Sequence, residues 1–238
     1  MPAAVKLLVA SSPCSLISLV IVSSCFLKIS IISSICTFPP LTRPNSTALN
    51  IQAKGTKILN LGGGYGVRYV ESDPHIDIDK NISLVADKFK DTCEKLGVNT
   101  PKVIMEPGRS IVADAGLTLY TAGSFKTIEG YKNYVSIDGG MTDNPRYALY
   151  QSDYEIVCAN KATEERTDIV TVAGKCCESG DLIQENTMIQ NVVPGAILAV
   201  LSTGAYNFSM ASNYNRNSRP PVVMVKDGKS RIIVKGDS

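Results

Sequence analysis

Residues 174–181, Gly-Lys-Cys-Cys-Glu-Ser-Gly-Asp, bring two thiols and a carboxylate together in one short stretch. β-Branched residues dominate residues 168–173 just before it, which predicts a strand that ends where the stretch begins. Gly174 and Gly180 bracket the stretch and favour a turn. A cysteine beside a glutamate at a strand end can supply a proton and bind a cationic group. These residues alone leave a plainer interpretation open, a buried cysteine next to a solvated glutamate.

A second candidate site lies upstream, where the glycines at 62–64 directly follow the apolar run 58–61. Glycines at a strand end let the backbone approach a ligand closely, with N–H groups available to bind an anion. Many glycine-rich turns serve only as tight turns, so this motif alone is weak evidence. Another polar stretch, Glu106-Pro107-Gly108-Arg109, follows the apolar run 102–105 in the same way.

The segment between these two runs predicts the element that holds them together. Apolar residues of 78–96 fall on one helical face, with Asp77 as a plausible N-cap and Gly97 as a plausible C-terminal cap. Strand, glycine loop, helix and strand make a βα unit of a parallel sheet. Both polar stretches then lie at the carboxyl ends of strands, where parallel α/β folds place their active sites.

The second half of the chain has a different pattern from about residue 131. Short runs rich in strand-forming residues alternate with turn residues, at 134–137, 154–158, 168–173, 196–201, 221–226 and 231–235. Asp227-Gly228 between the last two is a hairpin signal. The predicted fold class is therefore α/β followed by all-β, the second part being an antiparallel barrel or sandwich.

Composition excludes several classes of function. The net charge of +2 gives no argument for a nucleic-acid partner. His75 is the single histidine, so a multi-histidine metal site is excluded, and no cysteine spacing resembles a zinc motif, so we expect no metal. The seven cysteines are odd in number and scattered, which favours a reducing compartment, the cytoplasm, over a disulfide scaffold.

Residues 1–50 differ from the rest of the chain. The run between Lys6 and Lys28 carries no charge and approaches the ~20 residues that span a bilayer. It is either a membrane segment at residues 7–27, the core of a plastid or other targeting signal within residues 1–36, or neither, because serines and Pro13 dilute it. Residues 37–50 are rich in proline and small polar residues and are typical of a linker.

The motifs taken together resemble those of the fold-type III decarboxylases that use pyridoxal phosphate, and among these the diaminopimelate decarboxylases. The matching runs are LNLGGGYGVRY (59–69), MEPGRSIVADAG (105–116), DGGMTDNPRYALY (138–150), VAGKCCESGD (172–181) and TGAYNFSMASNYNRNSRP (203–220). Five long motifs in the family's order are far more specific than any one of them. The resemblance covers most of residues 56–225.

The resemblance implies a pyridoxal 5′-phosphate cofactor. The residues that match the family's cofactor contacts are Gly62, Gly63, Gly64, Glu106, Gly108, Arg109 and Tyr206. In the family the glycine loop, the Gly108-Arg109 turn and the tyrosine hold the phosphate. Glu106 matches the carboxylate that keeps the pyridine nitrogen protonated, which helps the cofactor to act as an electron sink.

The resemblance also implies a substrate and a reaction, the decarboxylation of meso-2,6-diaminopimelate to L-lysine in lysine biosynthesis. The residues that match the family's substrate contacts are Arg109, Arg146, Tyr150, Glu178 and Tyr206. Cys177, rather than Cys176, matches the proton donor, because it directly precedes Glu-Ser-Gly-Asp. In the family this loop reaches into the neighbouring subunit's site, which implies a homodimer with shared active sites.

The resemblance divides the chain into residues 51–128, the C-terminal part of a (β/α)8 barrel that binds the cofactor, and residues 129–238, the β domain. Only the last two barrel strands are recognisable, and no lysine here matches the one that carries the cofactor. We therefore expect a truncated decarboxylase. The alternatives are a non-catalytic homologue that binds and regulates a full-length decarboxylase, and a membrane-anchored β domain without a ligand.

Overall fold

The structure, a computed structural model, describes residues 57–237, which fall into two compact units. Among these residues, the first unit comprises residues 57–67 and Pro74–Ile111, and the second comprises Arg68–Asp73 and residues 112–237. The membrane or targeting segment expected at residues 7–27 and the linker expected at 37–50 lie outside the described residues. Within residues 57–237, no helix combines the length and apolar character needed to cross a bilayer.

The first unit is built on a strand–helix–strand element. Strand β1 spans Ile58–Asn60, helix α1 spans Ile78–Leu96 and strand β2 spans Lys102–Ile104. The two strands pair in parallel, with Leu59 opposite Val103, which confirms the predicted βα unit. That they are the last two strands of an eight-stranded barrel remains a prediction from the resemblance.

Both predicted caps of α1 are confirmed. The carboxylate of Asp77 accepts a hydrogen bond from the backbone N–H of Lys80 at 2.9 Å, and Gly97 ends the helix with a left-handed φ of 61°. Val85 and Cys93 on the predicted apolar face are buried, whereas Ile82 on the same face is 43% exposed. Two short strands bury only part of a face that runs the length of a 19-residue helix.

The second unit holds most of the strands. They are β3 (Thr118–Ile128), β4 (Lys132–Ile137), β5 (Ile156–Cys158), β6 (Arg166–Ala173), β7 (Leu182–Gln190) and β8 (Ile197–Val200), which form one sheet in the order β5-β8-β3-β4-β6-β7. The short helices are α2 (Arg109–Val112, at the boundary of the two units), α3 (Arg146–Tyr150) and α4 (Asn207–Met210). A separate hairpin of β9 (Val222–Lys226) and β10 (Lys229–Val234) turns at Asp227 and Gly228, both with positive φ, which confirms the hairpin signal.

One pairing departs from the antiparallel sheet that the sequence predicted. β4 and β6 run parallel, with Val135 opposite Val172, while every other pairing in the six-stranded sheet is antiparallel. The chain between β4 and β6 forms α3 and then β5, and β5 pairs with β8 at the far edge of the sheet. That connection is long enough for the chain to re-enter beside β4 in the same direction.

Two strands of this sheet were missed in the sequence. β3 runs from Thr118 to Ile128, before residue 129 where the β domain was expected to begin, and it pairs with both β4 and β8. β7 includes the polar run Gln184-Glu185-Asn186-Thr187, which has no apolar alternation. The two glutamines of β7, Gln184 and Gln190, are nevertheless buried.

These glutamines bring the two edges of the sheet together into a nearly closed barrel. The side-chain oxygen of Gln184 accepts a hydrogen bond from the backbone N–H of Tyr154 at 2.9 Å, and that of Gln190 accepts one from Cys158 at 2.9 Å. Side-chain amides of β7 therefore replace a backbone ladder to β5. The enclosed core consists of fully buried side chains, among them Val135, Ile156, Val172, Ile183, Ile189 and Leu198.

Candidate active site

The glycine loop of the first unit packs directly against the loop that follows β2. A side chain at Gly63 would place its Cβ 2.2 Å from the carbonyl oxygen of Glu106, so only glycine fits this approach. The backbone N–H of Glu106 donates to the carbonyl of Gly62 at 2.7 Å. Gly62 and Gly64 have φ values of 69° and 99°, a region that L side chains rarely adopt.

The Glu106 carboxylate lies at the carboxyl ends of β1 and β2, as the sequence predicted. Its Oε1 accepts a hydrogen bond from the side-chain amide of Asn60 at 2.5 Å, and the oxygen of that amide accepts from the N–H of Gly62 at 2.7 Å. Asn60 therefore links the carboxylate to the glycine loop. Gly108 and Arg109 follow at once, and the Gly108 carbonyl accepts from Ile111 at the start of α2.

In the second unit, the buried carboxylate of Asp181 organises the thiol–carboxylate turn, residues 174–181. It accepts hydrogen bonds from the backbone N–H groups of Met141 at 2.6 Å and Cys176 at 2.7 Å. A Cβ at Gly174 or Gly140 would come within 2.2 and 2.4 Å of this carboxylate. Both glycines are therefore needed so that one side chain can hold the turn from inside.

The two thiols of the turn lie in different surroundings. Cys176 is half-buried and its sulfur accepts a contact from the side-chain amide of Asn217 at 3.5 Å, whereas Cys177 is exposed. Burial raises the pKa of the Cys176 thiol, and the negative charge of Asp181 adds to this effect. Cys176 is thus partly covered and in contact with Asn217, whereas the thiol of Cys177 is accessible to solvent.

Glu178 follows the two thiols and is exposed on the same turn. Its Oε2 lies 3.5 Å from the hydroxyl of Tyr214, and its Oε1 lies 3.4 Å from the N–H of Gly180. Burial raises the pKa of Tyr214, and the charge of Glu178 raises it further, which favours the protonated phenol that donates to the carboxylate. The turn is thus in contact with the segment that carries Tyr214 and Asn217.

Arg146, at the start of α3, is 6% exposed and lies among three aromatic rings. Its guanidinium carbon is 5.5 Å from the ring centre of Tyr150, 5.7 Å from that of Tyr69 and 5.9 Å from that of Tyr206. Cation–π contacts at these distances stabilise a guanidinium that burial would otherwise destabilise. Its Nη2 donates to the hydroxyl of Ser152 at 3.1 Å.

Further polar groups line the interior beside Arg146. Among the described residues, the Nε of Arg146, the hydroxyl of Tyr154 and both amide atoms of Asn207 are buried without a protein hydrogen bond. Burial raises the pKa of the Tyr154 hydroxyl, and the positive charge of Arg146 opposes part of that rise. Buried polar groups in this state are suited to a polar ligand or to ordered water.

Tyr206 belongs to this cluster and follows a loop that is held by two backbone hydrogen bonds. The N–H of Thr203 donates to the carbonyl of Gly116, and that of Gly204 donates to Ala113, both at 2.9 Å. Tyr206 itself has a φ of 72°, an uncommon conformation for a residue with a side chain. Strained backbone of this kind clusters at functional sites, where the surroundings hold it in place.

The predicted site residues thus fall into three groups. The structure brings together Gly62, Gly63, Gly64 and Glu106 in the first unit, and Arg146, Tyr150 and Tyr206 in the second; Cys177 and Glu178 share the turn. Gly108 and Arg109 come next to Glu106 in the chain. Sequence reasoning missed Asn60, Tyr69 and Asp181. All three lie inside or beside the motifs, but only the folded chain shows what they contact.

A nearly closed β-barrel carries the thiol–carboxylate turn at the end of β6 and encloses Arg146 among three tyrosine rings. The model of the pyridoxal-dependent decarboxylase C-terminal sheet domain matches residues 19–204. The chain therefore belongs to the pyridoxal-dependent decarboxylase family.

The most similar proteins found include diaminopimelate decarboxylases. The chain is 46% identical over 183 residues to a diaminopimelate decarboxylase of Bacillus subtilis (77% of this chain, 42% of that protein). It is 47% identical over 191 residues to that of Staphylococcus aureus (80% and 45%). The solved diaminopimelate decarboxylase of M. jannaschii in complex with L-lysine is similar at a TM-score of 0.67 and 32% identity, covering 76% of this chain and 41% of that one. The chain thus spans less than half the length of the relatives it matches.

Proposed function

We propose that this chain is the C-terminal part of a pyridoxal-phosphate-dependent decarboxylase that converts meso-2,6-diaminopimelate to L-lysine. The observation that carries the proposal is the buried Arg146, held among three tyrosines with an unpartnered Nε. A planar guanidinium binds a carboxylate at two points. Diaminopimelate has a distal carboxylate that a simple diamino acid lacks. The relatives named diaminopimelate decarboxylase, and the neighbour solved with L-lysine, support this substrate.

The first unit offers residues that fit the cofactor. The loop at Gly63 and Gly64 suits the phosphate, because its backbone shape lets N–H groups approach an anion. Gly62 gives its N–H to Asn60, so its contribution is to the shape of the loop. Gly108, Arg109 and Tyr206 are the further phosphate contacts that the resemblance implies. Glu106, linked to the loop through Asn60, is the partner for the pyridine nitrogen.

The substrate's far end is the part that this chain recognises. Arg146 binds the distal carboxylate, with Arg109, Tyr150 and Tyr206 as further contacts. Glu178 receives the distal amine, because it is an exposed carboxylate on a turn whose backbone is fixed by Asp181. Charge-assisted bonds to both groups set the position of the substrate's reacting end.

The bound cofactor supplies an electron sink for the bond that breaks as CO2 leaves. Cys177 then delivers the proton to the α-carbon, since its thiol is exposed at the tip of the turn while Cys176 is held inside. We propose that the working unit is a homodimer in which this turn serves the neighbouring subunit's site.

The experiment is complementation. The chain is mixed with the N-terminal portion of the B. subtilis relative that it does not cover, and CO2 release from carboxyl-labelled meso-diaminopimelate is measured with added pyridoxal phosphate. We expect no release from the chain alone, because no lysine in it matches the family's cofactor-bearing lysine, and release from the mixture that Arg146→Ala abolishes.

Two outcomes would contradict the proposal. Release by the chain alone, with borohydride fixing the cofactor to one of its lysines, would overturn the assignment of a partial site. An inert mixture, combined with a changed rate when the chain is added to the intact B. subtilis protein, would favour the alternative of a non-catalytic regulator.

A further inference from the structure

The segment of residues 212–217 lies against the thiol–carboxylate turn at two points and against the neighbouring loop at a third. The hydroxyl of Tyr214 lies 3.5 Å from Oε2 of Glu178, and the amide of Asn217 lies 3.5 Å from the sulfur of Cys176. The N–H of Ser212 donates to the carbonyl of Thr142 at 2.9 Å. The segment therefore covers the half-buried thiol and contacts the carboxylate.

Backbone conformation makes this segment costly to hold. Asn215 and Arg216 have φ values of 53° and 59°, so two consecutive residues with side chains adopt the left-handed region. Such a conformation persists only where surrounding contacts impose it. The two contacts with the turn are long, so the constraint must come from elsewhere in the structure.

That constraint is the side chain of Asp237, which follows the β9–β10 hairpin. Its two oxygens accept a bidentate pair of hydrogen bonds from the Arg219 guanidinium, Oδ2 from Nε at 2.9 Å and Oδ1 from Nη2 at 3.0 Å. The Oδ2 atom also accepts from the backbone N–H of Arg219 at 3.1 Å and from the side-chain amide of Asn213 at 2.8 Å. The N–H of Asp237 also donates to the carbonyl of Arg219 at 3.1 Å. The same Asn213 amide donates to the carbonyl of Asn217 at 3.0 Å, which joins the two ends of the segment of residues 212–217.

We propose that Arg219 and Asp237 are positioning residues for the thiol–carboxylate turn, acting through residues 212–217. An exposed ion pair usually contributes little. This one is bidentate and is reinforced by two backbone hydrogen bonds and an asparagine, which is the geometry that makes such a pair effective. The hydrogen bonds from Arg219, and then from Asn213, hold the pKa of Asp237 well below its usual range, in agreement with a carboxylate held by several donors.

The role of the turn in catalysis rests on the proposed function, but the device can be tested without cofactor or substrate. The full chain is treated with N-ethylmaleimide, and the rate at each cysteine is followed by peptide mapping. In the unaltered chain Cys177 should react faster than Cys176, because it is exposed. In Asp237→Asn the rate at Cys176 should rise roughly tenfold, as expected when hydrogen bonds to a charged group are lost.

Two internal standards separate a local effect from general unfolding. Cys93 and Cys158 are buried, so their rates report loss of the fold. Glu155→Gln is the matched control variant, because it removes another partly exposed ion pair of the same unit, the one with Arg166, which lies outside both residues 212–217 and the thiol–carboxylate turn. We expect all four rates to be unchanged in that variant, and Arg219→Lys, which keeps the charge but loses the bidentate geometry, to have an intermediate effect.

The pH dependence of the Cys176 reaction provides a further test. It should change if the Arg219–Asp237 pair positions the thiol–carboxylate turn, and it should not change if the pair only stabilises its own surroundings. Release of the segment exposes the thiol and removes the burial that raises its pKa, so the ionisation of Cys176 should shift to lower pH in Asp237→Asn. An unchanged rate and profile at Cys176 would overturn the proposal, and so would rates at Cys93 and Cys158 that rise in step with it. An inactive complementation mixture would count against the decarboxylase function only, since these rates do not depend on it.

Discussion

The side-chain oxygen of Gln190 accepts a hydrogen bond from the backbone N–H of Cys158 at 2.9 Å, and both residues are buried. With its counterpart between Gln184 and Tyr154, it joins the two edge strands of a six-stranded sheet. Unpaired strand edges are a hazard, and here amide side chains satisfy one of them at two points.

Gln190→Leu should destabilise the barrel. The change keeps most of the buried volume but leaves the Cys158 N–H without its acceptor, which costs about 1–3 kcal/mol. Urea unfolding followed by circular dichroism would measure the loss. Met188→Leu, at a position of the same strand that is 54% exposed, serves as the control and should change stability by less than about 0.5 kcal/mol. Equal stability of the two variants would contradict the closing role.

Glu185→Gln should reduce the loss of folding stability that the chain shows as the pH is lowered from neutral. Hydrogen bonds from Lys132 and then from Tyr147 hold the pKa of Glu185 below its ordinary value of 4.5. A lowered pKa means that the folded state binds this proton more weakly, so the stabilisation is present above pH 4.5 and is lost as pH falls through the lowered value.

Urea midpoints at pH 7 and pH 3 would test this. The variant should be less stable than the unaltered chain at pH 7, and this deficit should be smaller at pH 3. Tyr147, whose pKa burial and Glu185 raise to about 12, stays protonated throughout this range. A deficit that grows as the pH falls would show that the sign is wrong.

Cys177→Ala should lower the turnover of the complemented enzyme by about 10²–10⁴-fold with little change in KM, as expected for loss of a general acid. Cys176→Ala should have a small effect, because that thiol is half-buried beneath Asn217. The rate of CO2 release at varied substrate concentration gives both constants. If Cys176→Ala is the damaging change and Cys177→Ala the silent one, the assignment is reversed.

Glu178→Gln should weaken substrate binding rather than slow the chemistry. It removes the charge that faces the distal amine, and a hydrogen bond to a charged group contributes about 1.5–3 kcal/mol. The KM for diaminopimelate should therefore rise by roughly ten- to a hundredfold. An unchanged KM for Glu178→Gln would remove this residue from the substrate site.

Arg146→Lys should cost most of the binding energy even though it keeps the positive charge. An ammonium cannot form the two-point contact with a carboxylate and does not stack between rings as a planar guanidinium does. The KM should rise with only a small loss of folding stability, which thermal unfolding would check. A KM close to that of the unaltered complex would mean that Arg146 supports the fold and not the substrate.

Local features of the chain were predictable from the sequence, and distant pairings were not. The caps at Asp77 and Gly97 and the turn at Asp227 depend on nearest neighbours, and all were predicted correctly. β7 was missed because Gln184 and Gln190 are buried against partners about 30 residues away in the chain. The pattern of apolar residues does not show that a buried position is filled by a hydrogen-bonded glutamine. The parallel pairing of β4 and β6 is equally non-local.

The candidate site shows the same division. The motifs gave Arg146, Tyr150 and Tyr206, and the structure places their side chains together. Tyr69 joins them across 77 residues of chain, and its ring also meets Tyr154 edge-on at 5.2 Å between centroids. A sequence motif can name a residue of this kind but cannot state what it contacts.

The carboxylate of Asp181 occupies the space that side chains at Gly140 and Gly174 would need. In protein design these three positions are therefore one coupled choice. Gly174→Ala alone would force the carboxylate away and release the N–H groups of Met141 and Cys176 that it binds. A larger side chain at Gly140 or Gly174 therefore fits only together with a shorter side chain at position 181, so repositioning the thiol by that route requires simultaneous changes.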